Sequence, residues 1–146
     1  MKDLLMKFFS LSTKEKLLLF EALIVLAFMR AAIFIFPFRY IASFLGQPER
    51  FGESSEIQKG EKLFSTKTIG WSVSTVARYT PWKSTCLAQA FSGKWMLRQR
   101  GIKSTIFIGV LPLQNELKAH AWLKAGDLIL TGEREMEPYH VISTFS

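Results

Sequence analysis

The sequence is poor in cysteine, with a single one, Cys86, among its 146 residues. One cysteine excludes an intramolecular disulfide framework and a cysteine-rich zinc site, and a lone free thiol fits a reducing cytoplasm better than secretion. The chain has only two histidines, His120 and His140, and they do not have metal-ligand spacing with Cys86. It also has no Walker loop and no Gly-x-Gly-x-x-Gly sequence. We therefore expect neither a metal nor a cofactor.

Acidic residues are missing between Lys62 and Asn115. The whole chain has 19 Lys and Arg against 12 Asp and Glu, a formal net charge of +7. Residues 1–66 have nine bases and seven acids, whereas residues 67–146 have ten bases and five acids. This asymmetry is expected to attract an acidic substrate or partner, with an ordinary solvated basic face as the alternative. Nucleic acid is not expected, because no zinc-finger, RRM or basic-helix pattern accompanies the charge.

Long charge-free hydrophobic runs are also missing, although the segment Leu17–Phe38 is strongly apolar. Glu21, Arg30 and Arg39 limit its charge-free runs to eight residues, whereas a membrane span needs about 20. The segment starts too late for a signal peptide and has no small-residue cleavage site. We therefore expect a helix that is buried or covered by a partner, with contact to a membrane surface as the alternative.

Aromatic residues, in contrast, are abundant, with 13 Phe and 4 Trp. Hydrophobic residues make up 49% of the chain and charged residues 21%, which is typical of a folded domain. A chain of this length buries a single core without disulfides or metals. The aromatic surplus predicts either a thick aromatic core or an exposed apolar docking face.

Helix signals dominate the first 80 residues. Ser12-Thr13-Lys14-Glu15 has the pattern of a capping box, so we expect a long helix from there to about Phe34, with Pro37 ending it. The patterns that follow predict a short helix over 38–45, a loop over 47–55, and helical pieces over about 56–64 and 68–79.

The pattern changes after Pro81. Ser84 or Thr85 can cap a helix over 86–100, with Gly101 at its end. An alternating pattern then predicts strands over 105–111, 117–124, 127–131 and 139–145. Helices followed by antiparallel strands predict an α+β fold. We expect an N-terminal apolar helical region over 1–66 and a core over 67–146, packed as one domain.

Cys86 and His120 are the candidate nucleophile and base. Cys86 is expected in the first turn of a helix, where free amides and the positive end of the helix dipole favour the thiolate over the thiol. His120 is expected on a strand, where a neutral imidazole can take the thiol proton. Each residue alone also fits a structural role, as a small core cysteine or a half-buried strand histidine. His140 is expected to be structural.

Four sequence segments resemble one known family. The segments are Pro81-Trp82-Lys83-Ser84-Thr85-Cys86-Leu87-Ala88-Gln89-Ala90, His120-Ala121-Trp122-Leu123, Arg100-Gly101-Ile102, and Lys16-Leu17-Leu18-Leu19-Phe20-Glu21-Ala22-Leu23 with Arg30 following. They look like the pattern of the lasso-peptide leader peptidases, which are cysteine proteases with a transglutaminase-like core. The resemblance covers the chain from about residue 12 to its end.

The resemblance implies a transglutaminase/papain-like core and a defined reaction. Cys86 would form a thioester with the last residue of the leader of a ribosomally made precursor, and His120 would act as base and then as acid. An asparagine-synthetase-like cyclase would then close the freed core peptide. The family's partner is a small leader-recognition protein. Because residues 1–66 offer no strand-rich recognition domain, the resemblance implies that this partner is a separate chain, for which the surplus Phe would provide a docking surface.

Three further side chains are candidates for the oxyanion hole or for substrate binding. Gln89 is one turn after Cys86 on the same helix face and can donate a hydrogen bond, although a solvated polar role is the alternative. Trp82 and Trp122 can form walls of the cleft, with core packing as the alternative.

The third catalytic group departs from the family pattern. Relatives often have an aspartate twelve residues after the histidine, where this chain has Gly132. Asp127 is not a substitute, because it falls at the hairpin turn, roughly 20 Å along the strand from His120. The hairpin brings Thr131, Gly132 or Glu133 opposite His120, depending on the turn length. Glu133 is the only ionisable one and is the candidate third member, with a backbone polar group or a water as the alternative.

Two other functions share some of these features. A transglutaminase-like enzyme that transfers an acyl group to an amine would use the same cysteine and histidine. A non-catalytic basic adaptor would bind an acidic peptide or a membrane surface, but it would not need the thiol of Cys86.

Overall fold

The computed structural model describes residues 2–45, 61–82, 85–132 and 139–146. Its helices and strands, in chain order, are α1 (Lys2–Ser10), α2 (Thr13–Ile35), α3 (Phe38–Leu45), α4 (Glu61–Tyr79), α5 (Cys86–Gln99), β1 (Thr105–Pro112), β2 (Leu117–Ala125), β3 (Leu128–Thr131) and β4 (His140–Phe145). Helices precede a four-stranded antiparallel sheet. The predicted α+β class is confirmed.

Helix ends follow the local sequence signals. The Ser12 hydroxyl accepts the Glu15 amide, and the Glu15 carboxylate accepts the Ser12 amide at 2.7 Å, so the predicted capping box is present. These hydrogen bonds lower the pKa of Glu15. Thr85 caps α5, and Gly101 follows its end with φ of 67°. The sequence patterns did not predict α1.

The expectation of two helical pieces over 56–64 and 68–79 is wrong for the part that the structure describes. A single helix, α4, runs from Glu61 to Tyr79, while residues 56–60 lie outside the described residues. Polar residues in its middle do not interrupt it, because their hydroxyls bond backbone carbonyls of the same helix. Thr66 donates to Lys62 at 2.7 Å, and Ser72 donates to Ile69 at 2.8 Å.

The sheet has the strand order β3-β2-β1-β4. Gly126, with φ of 56°, and Asp127 form the turn between β2 and β3. The register then shifts, so that Lys124 pairs with Ile129 but Leu123 pairs with Thr131. This bulge puts Thr131 opposite Leu123. The expectation that Thr131 could lie opposite His120 is therefore wrong.

The core lies between the sheet and the helices α2, α4 and α5. Its largest fully buried hydrophobic side chains are Phe91, Leu26, Ile69, Met96, Leu97, Ile106, Leu123 and Val73. A bidentate ion pair joins α2 to the end of α5, with 2.6 Å between Arg100 Nη2 and Glu21 Oε2. This pairing raises the pKa of Arg100. Two of the segments that carry the family resemblance therefore meet in space.

The apolar segment of the N-terminal third is buried on one side only. Leu19, Ala22, Leu26 and Met29 of α2 are buried, but the opposite side of the helix is exposed. The expectation of a helix buried within this chain is therefore correct for one face. Most of the exposed phenylalanines lie on α1, α2 and the start of α3, so the aromatic surplus contributes a surface as well as a core.

Candidate active site

Cys86 is the first residue of α5, and its side chain is half-buried against the core. The Thr85 hydroxyl accepts the amide of Ala88, and the Thr85 carbonyl accepts the amide of Gln89. The amide of Cys86 itself has no acceptor among the described residues, as is usual in the first turn of a helix. A free amide at the positive end of the helix can stabilise an anion on a substrate carbonyl next to the thiol.

His120 is the first buried residue of β2. Residues 117–119 are exposed, whereas His120 is only 7% exposed and the following strand residues are mostly buried. Its Nε2 is 2.8 Å from the carbonyl oxygen of Gly132. A carbonyl can only accept, so the ring nitrogen that faces it must carry the hydrogen. In the neutral ring the lone pair is then on Nδ1, which is free to act as a base.

Gly132 has no room for a side chain. Its φ is +81°, and a Cβ there would lie 2.8 Å from the Ala121 carbonyl oxygen, 2.9 Å from Trp122 Cβ and 3.0 Å from His120 Nε2. The aspartate that the family resemblance implies at this position therefore has no space, and a backbone oxygen accepts the hydrogen bond of the imidazole instead. Of the alternatives to Glu133, the backbone polar group is the one that the structure shows in hydrogen-bond contact with His120. Glu133 itself lies outside the described residues and stays a prediction.

Aromatic rings surround the imidazole of His120. Trp122, two residues further on the same face of β2, stacks on it with ring centroids 5.9 Å apart. Tyr139 packs on it at 5.2 Å, and Phe107 stacks on the far side of Trp122 at 5.7 Å. Gly109 pairs with His120 across β1 and β2, and a Cβ there would lie 2.9 Å from both Trp122 and Tyr139. The ring arrangement needs that glycine.

Sequence reasoning missed the roles of Tyr139 and Gly109. The available signal was a glycine in the interior of a strand, which often marks a close approach by another group. Tyr139 follows residues 133–138, which lie outside the described residues, and no motif connects it to His120.

Cys86 and His120 lie towards the same end of the domain. Helix α5 packs closely on β2 at Gly93, where a Cβ would lie 2.6 Å from Leu123 Cδ2. A short connection joins α5 to β1, and β1 is antiparallel to β2, so α5 and β2 run in the same direction. Cys86 lies seven residues before Gly93 along the helix, a distance of about 10 Å. His120 lies three residues before Leu123 along the strand, also about 10 Å.

No hydrogen bond joins the Cys86 thiol to the His120 ring in the part of the chain that the structure describes. Along β2, His120 alternates with Ala121 and Leu123, which belong to the core cluster on the face that packs against α5, so the imidazole lies on the opposite face of the sheet. Proton transfer between Cys86 and His120 therefore requires a conformation in which the imidazole reaches the thiol.

Two of the other candidates from the sequence lie beside Cys86 or His120. Gln89 is half-buried one turn after Cys86, and Trp122 is buried against His120. The indole N–H of Trp82, four residues before Cys86, is buried and has no acceptor among the described residues. Asp127 is exposed in the hairpin turn, and His140 is exposed on β4. Within the described ranges, no group of three or more His, Cys, Asp and Glu side chains could hold a metal ion.

A family model for the transglutaminase-like superfamily matches residues 32–144. The chain belongs to the transglutaminase-like superfamily. The matched range includes Cys86, His120, the strands β1 to β3 and most of β4, and it fits cysteine protease or acyltransferase chemistry. The transglutaminase-like core implied by the sequence resemblance is thus confirmed. No curated protein and no solved structure matches the chain.

Proposed function

We propose that this transglutaminase-like protein is a cysteine peptidase that removes the leader from a ribosomally synthesised lasso-peptide precursor. The observation that carries the proposal is the His120–Gly132 hydrogen bond, which leaves a basic nitrogen at the end of the domain where Cys86 begins its helix. The leader-peptidase resemblance of the segments around both residues supplies the substrate class.

The reaction follows from the roles of these two side chains. The Cys86 sulfur attacks the carbonyl carbon of the last leader residue, and its proton moves to Nδ1 of His120. The tetrahedral intermediate collapses as His120 gives that proton to the departing amine, which becomes the N-terminus of the core peptide. A water then attacks the thioester with His120 as base, the bond between the carbonyl carbon and the Cys86 sulfur breaks, and His120 returns the proton to that sulfur while the leader leaves with a free carboxylate.

Gly132 is a positioning residue in this scheme. Its carbonyl fixes the hydrogen on Nε2 of His120, and the rings of Trp122 and Tyr139 restrict the imidazole and keep water from its faces. In the resting enzyme a backbone carbonyl does the orienting work that a carboxylate does in a catalytic triad.

Gly132→Ala should therefore slow cleavage at least about tenfold and lower the free energy of unfolding by about 1–3 kcal/mol. Gly101→Ala is the matched control, because Gly101 has a similar φ of 67° but no atom within 4 Å of the place that a Cβ would occupy. It should lose stability without losing activity. Nitrogen NMR on neutral His120 should find the hydrogen on Nε2 in the native protein. A hydrogen on Nδ1 would contradict the assigned role of Gly132.

The oxyanion hole is proposed to combine the Cys86 amide with a side-chain donor. The Trp82 indole is the stronger candidate, because its buried N–H has no acceptor among the described residues and such a donor costs free energy unless a ligand satisfies it. Gln89 is the other candidate, on the same helix face as Cys86.

Trp82→Phe should lower kcat roughly 100-fold with little change in KM, because the ring is kept while the donor to the transition state is lost. Trp71→Phe, at an exposed position on α4, is the control and should leave both constants unchanged. Equal kcat values for the two variants would remove Trp82 from the oxyanion hole and leave Gln89 as the candidate.

The peptidase is proposed to work in the cytoplasm, where the lone thiol stays reduced. It acts there with a separate leader-recognition protein, and an asparagine-synthetase-like cyclase receives the freed core. The acid-free stretch from Lys62 to Asn115 favours an acidic leader, attracted at long range.

Acyl transfer to an amine is the second candidate, because the superfamily match fits both chemistries. The precursor peptide, incubated with the protein, the recognition protein and a primary amine, separates the two by mass. The peptidase proposal predicts a leader with a free carboxylate and an intact core. A product that has gained the amine would favour acyl transfer instead.

A further inference from the structure

The exposed side of α2 is apolar along almost its whole length. We call the surface formed by Leu17, Phe20, Ile24, Phe28 and Ile35 the outer face. These side chains recur at helical spacing and are 54–67% exposed. From its first to its last residue, the outer face extends for about 27 Å along the helix axis.

This helix is held against the domain and does not stand alone. By length and composition α2 could cross a membrane, and little of it is buried. Its other side, however, packs Ala22 and Met29 into the core. Glu21, at the edge of the outer face, forms the ion pair with Arg100 of α5, so its charge is offset. A helix fixed along one side presents the opposite side to a surface, lying parallel to that surface.

Positive charge borders the outer face at both ends. Lys7, Lys14 and Lys16 lie near its N-terminal end, and Arg39 follows its C-terminal end. Lys16 Nζ is 5.8 Å and 5.9 Å from the ring centroids of two phenylalanines of α1, and the Arg39 guanidinium is 4.9 Å from the ring centroid of Tyr40. Lysine and arginine side chains and tyrosine rings beside an apolar surface are typical of membrane interfaces.

The acidic side chains described in α1–α3 offset these cations only in part. Glu21 is paired with Arg100, whereas Glu15 keeps its negative charge while it accepts the Ser12 amide, so one unpaired carboxylate stands against four cations. The border of the outer face therefore has an excess of positive charge, which complements the headgroups of anionic lipids.

We propose that the protein binds an anionic lipid bilayer through the outer face, with α2 lying in the plane of the interface. The apolar side chains enter the acyl region, and the bordering lysines and Arg39 contact phosphate headgroups. Protein–protein interfaces usually have about one hydrogen bond per 100–200 Å², and the five side chains of the outer face offer no hydrogen-bonding group. Lipid acyl chains, in contrast to a protein surface, need no hydrogen-bonding partner.

The test is flotation of the full chain with vesicles of phosphatidylcholine, alone or mixed with phosphatidylglycerol. The protein should float with the mixed vesicles, bind the neutral ones more weakly, and lose part of its binding when salt is raised. Phe20→Glu and Phe28→Glu should each weaken binding to the mixed vesicles about tenfold or more. Ile142→Glu, at a 60% exposed position on β4, is the matched control and should float like the native protein.

Three results would overturn the proposal. The first is that the native protein fails to float with the mixed vesicles. The second is that both outer-face variants float as well as the control. Alternatively, the variants abolish self-association or the acceleration of cleavage by the leader-recognition protein while flotation is unchanged, which would make the outer face a protein interface. Because flotation requires no catalysis, its outcome is independent of the proposed peptidase activity.

Discussion

Cys86→Ala is expected to abolish cleavage of the precursor, with a loss of roughly 10⁴-fold or more in kcat, because the nucleophile is removed. Cys86 is half-buried at the edge of the core, so the loss of its sulfur leaves only a small change in packing. Turnover measured by mass spectrometry gives the rate. Binding of a labelled precursor should be close to that of the native protein, because the helix and its Thr85 cap are kept.

Cys86→Ser is the companion variant. It keeps the size and hydrogen-bonding capacity of the side chain but replaces the thiol with a much weaker nucleophile. It should fold and bind like the native protein and cleave hardly at all. Cleavage that survives in both variants, in a preparation free of other proteases, would rule out covalent catalysis by Cys86.

His120→Ala is expected to slow cleavage by roughly 10³-fold, since general acid–base groups typically contribute 10²–10⁴-fold. The loss should fall on kcat more than on KM, because the imidazole moves protons and does not hold the peptide. The variant should also flatten the pH dependence of kcat, an effect that a purely structural histidine would not cause.

His140→Ala is the matched control for His120. His140 is exposed on β4 and pairs with Val110, away from the imidazole of His120. Its loss should leave the rate near normal. If His140→Ala were inactive and His120→Ala active, the proposed base would be wrong.

Much of the fold could be predicted because its signals are local. The capping box at Ser12, the Thr85 cap, Pro37 and Gly101 determine helix ends by chemistry within a few residues, and the structure has each end close to the predicted place. The alternating pattern likewise predicts the strands to within a few residues. The continuity of α4 was missed because a run of polar residues resembles a break until its hydroxyls are seen to bond the helix carbonyls.

The group that orients His120 could be predicted only as one of several alternatives, because the pairing of β2 with β3 contains a bulge. A regular hairpin after the Gly126–Asp127 turn would have placed Glu133 opposite His120. The register shift at Leu123 and Lys124 changes that count, and the pairing ends at Thr131, after which the Gly132 carbonyl accepts a hydrogen bond from the ring. Sequence patterns carry no signal for the bulge or for a backbone oxygen as the hydrogen-bond acceptor.

The outer face of α2 is a second feature that sequence patterns did not predict. Glu21 and Arg30 break the apolar segment into short runs along the sequence. In the folded helix, Glu21 pairs with Arg100 of α5 at the edge of the outer face, so its charge is offset and the exposed apolar row continues past it. The lengths of charge-free segments along the sequence do not show how the charges are distributed around the helix.

The proposed mechanism depends on one intermediate, the thioester between Cys86 and the leader. The direct measurement is the intact mass of the protein, quenched in acid within the first turnovers on a precursor peptide. We expect an adduct equal to the leader minus one water, located on Cys86 by fragmentation, absent from Cys86→Ala and removed by hydroxylamine. Cleavage that proceeds at the native rate with no adduct, or with the adduct on another residue, would contradict this mechanism.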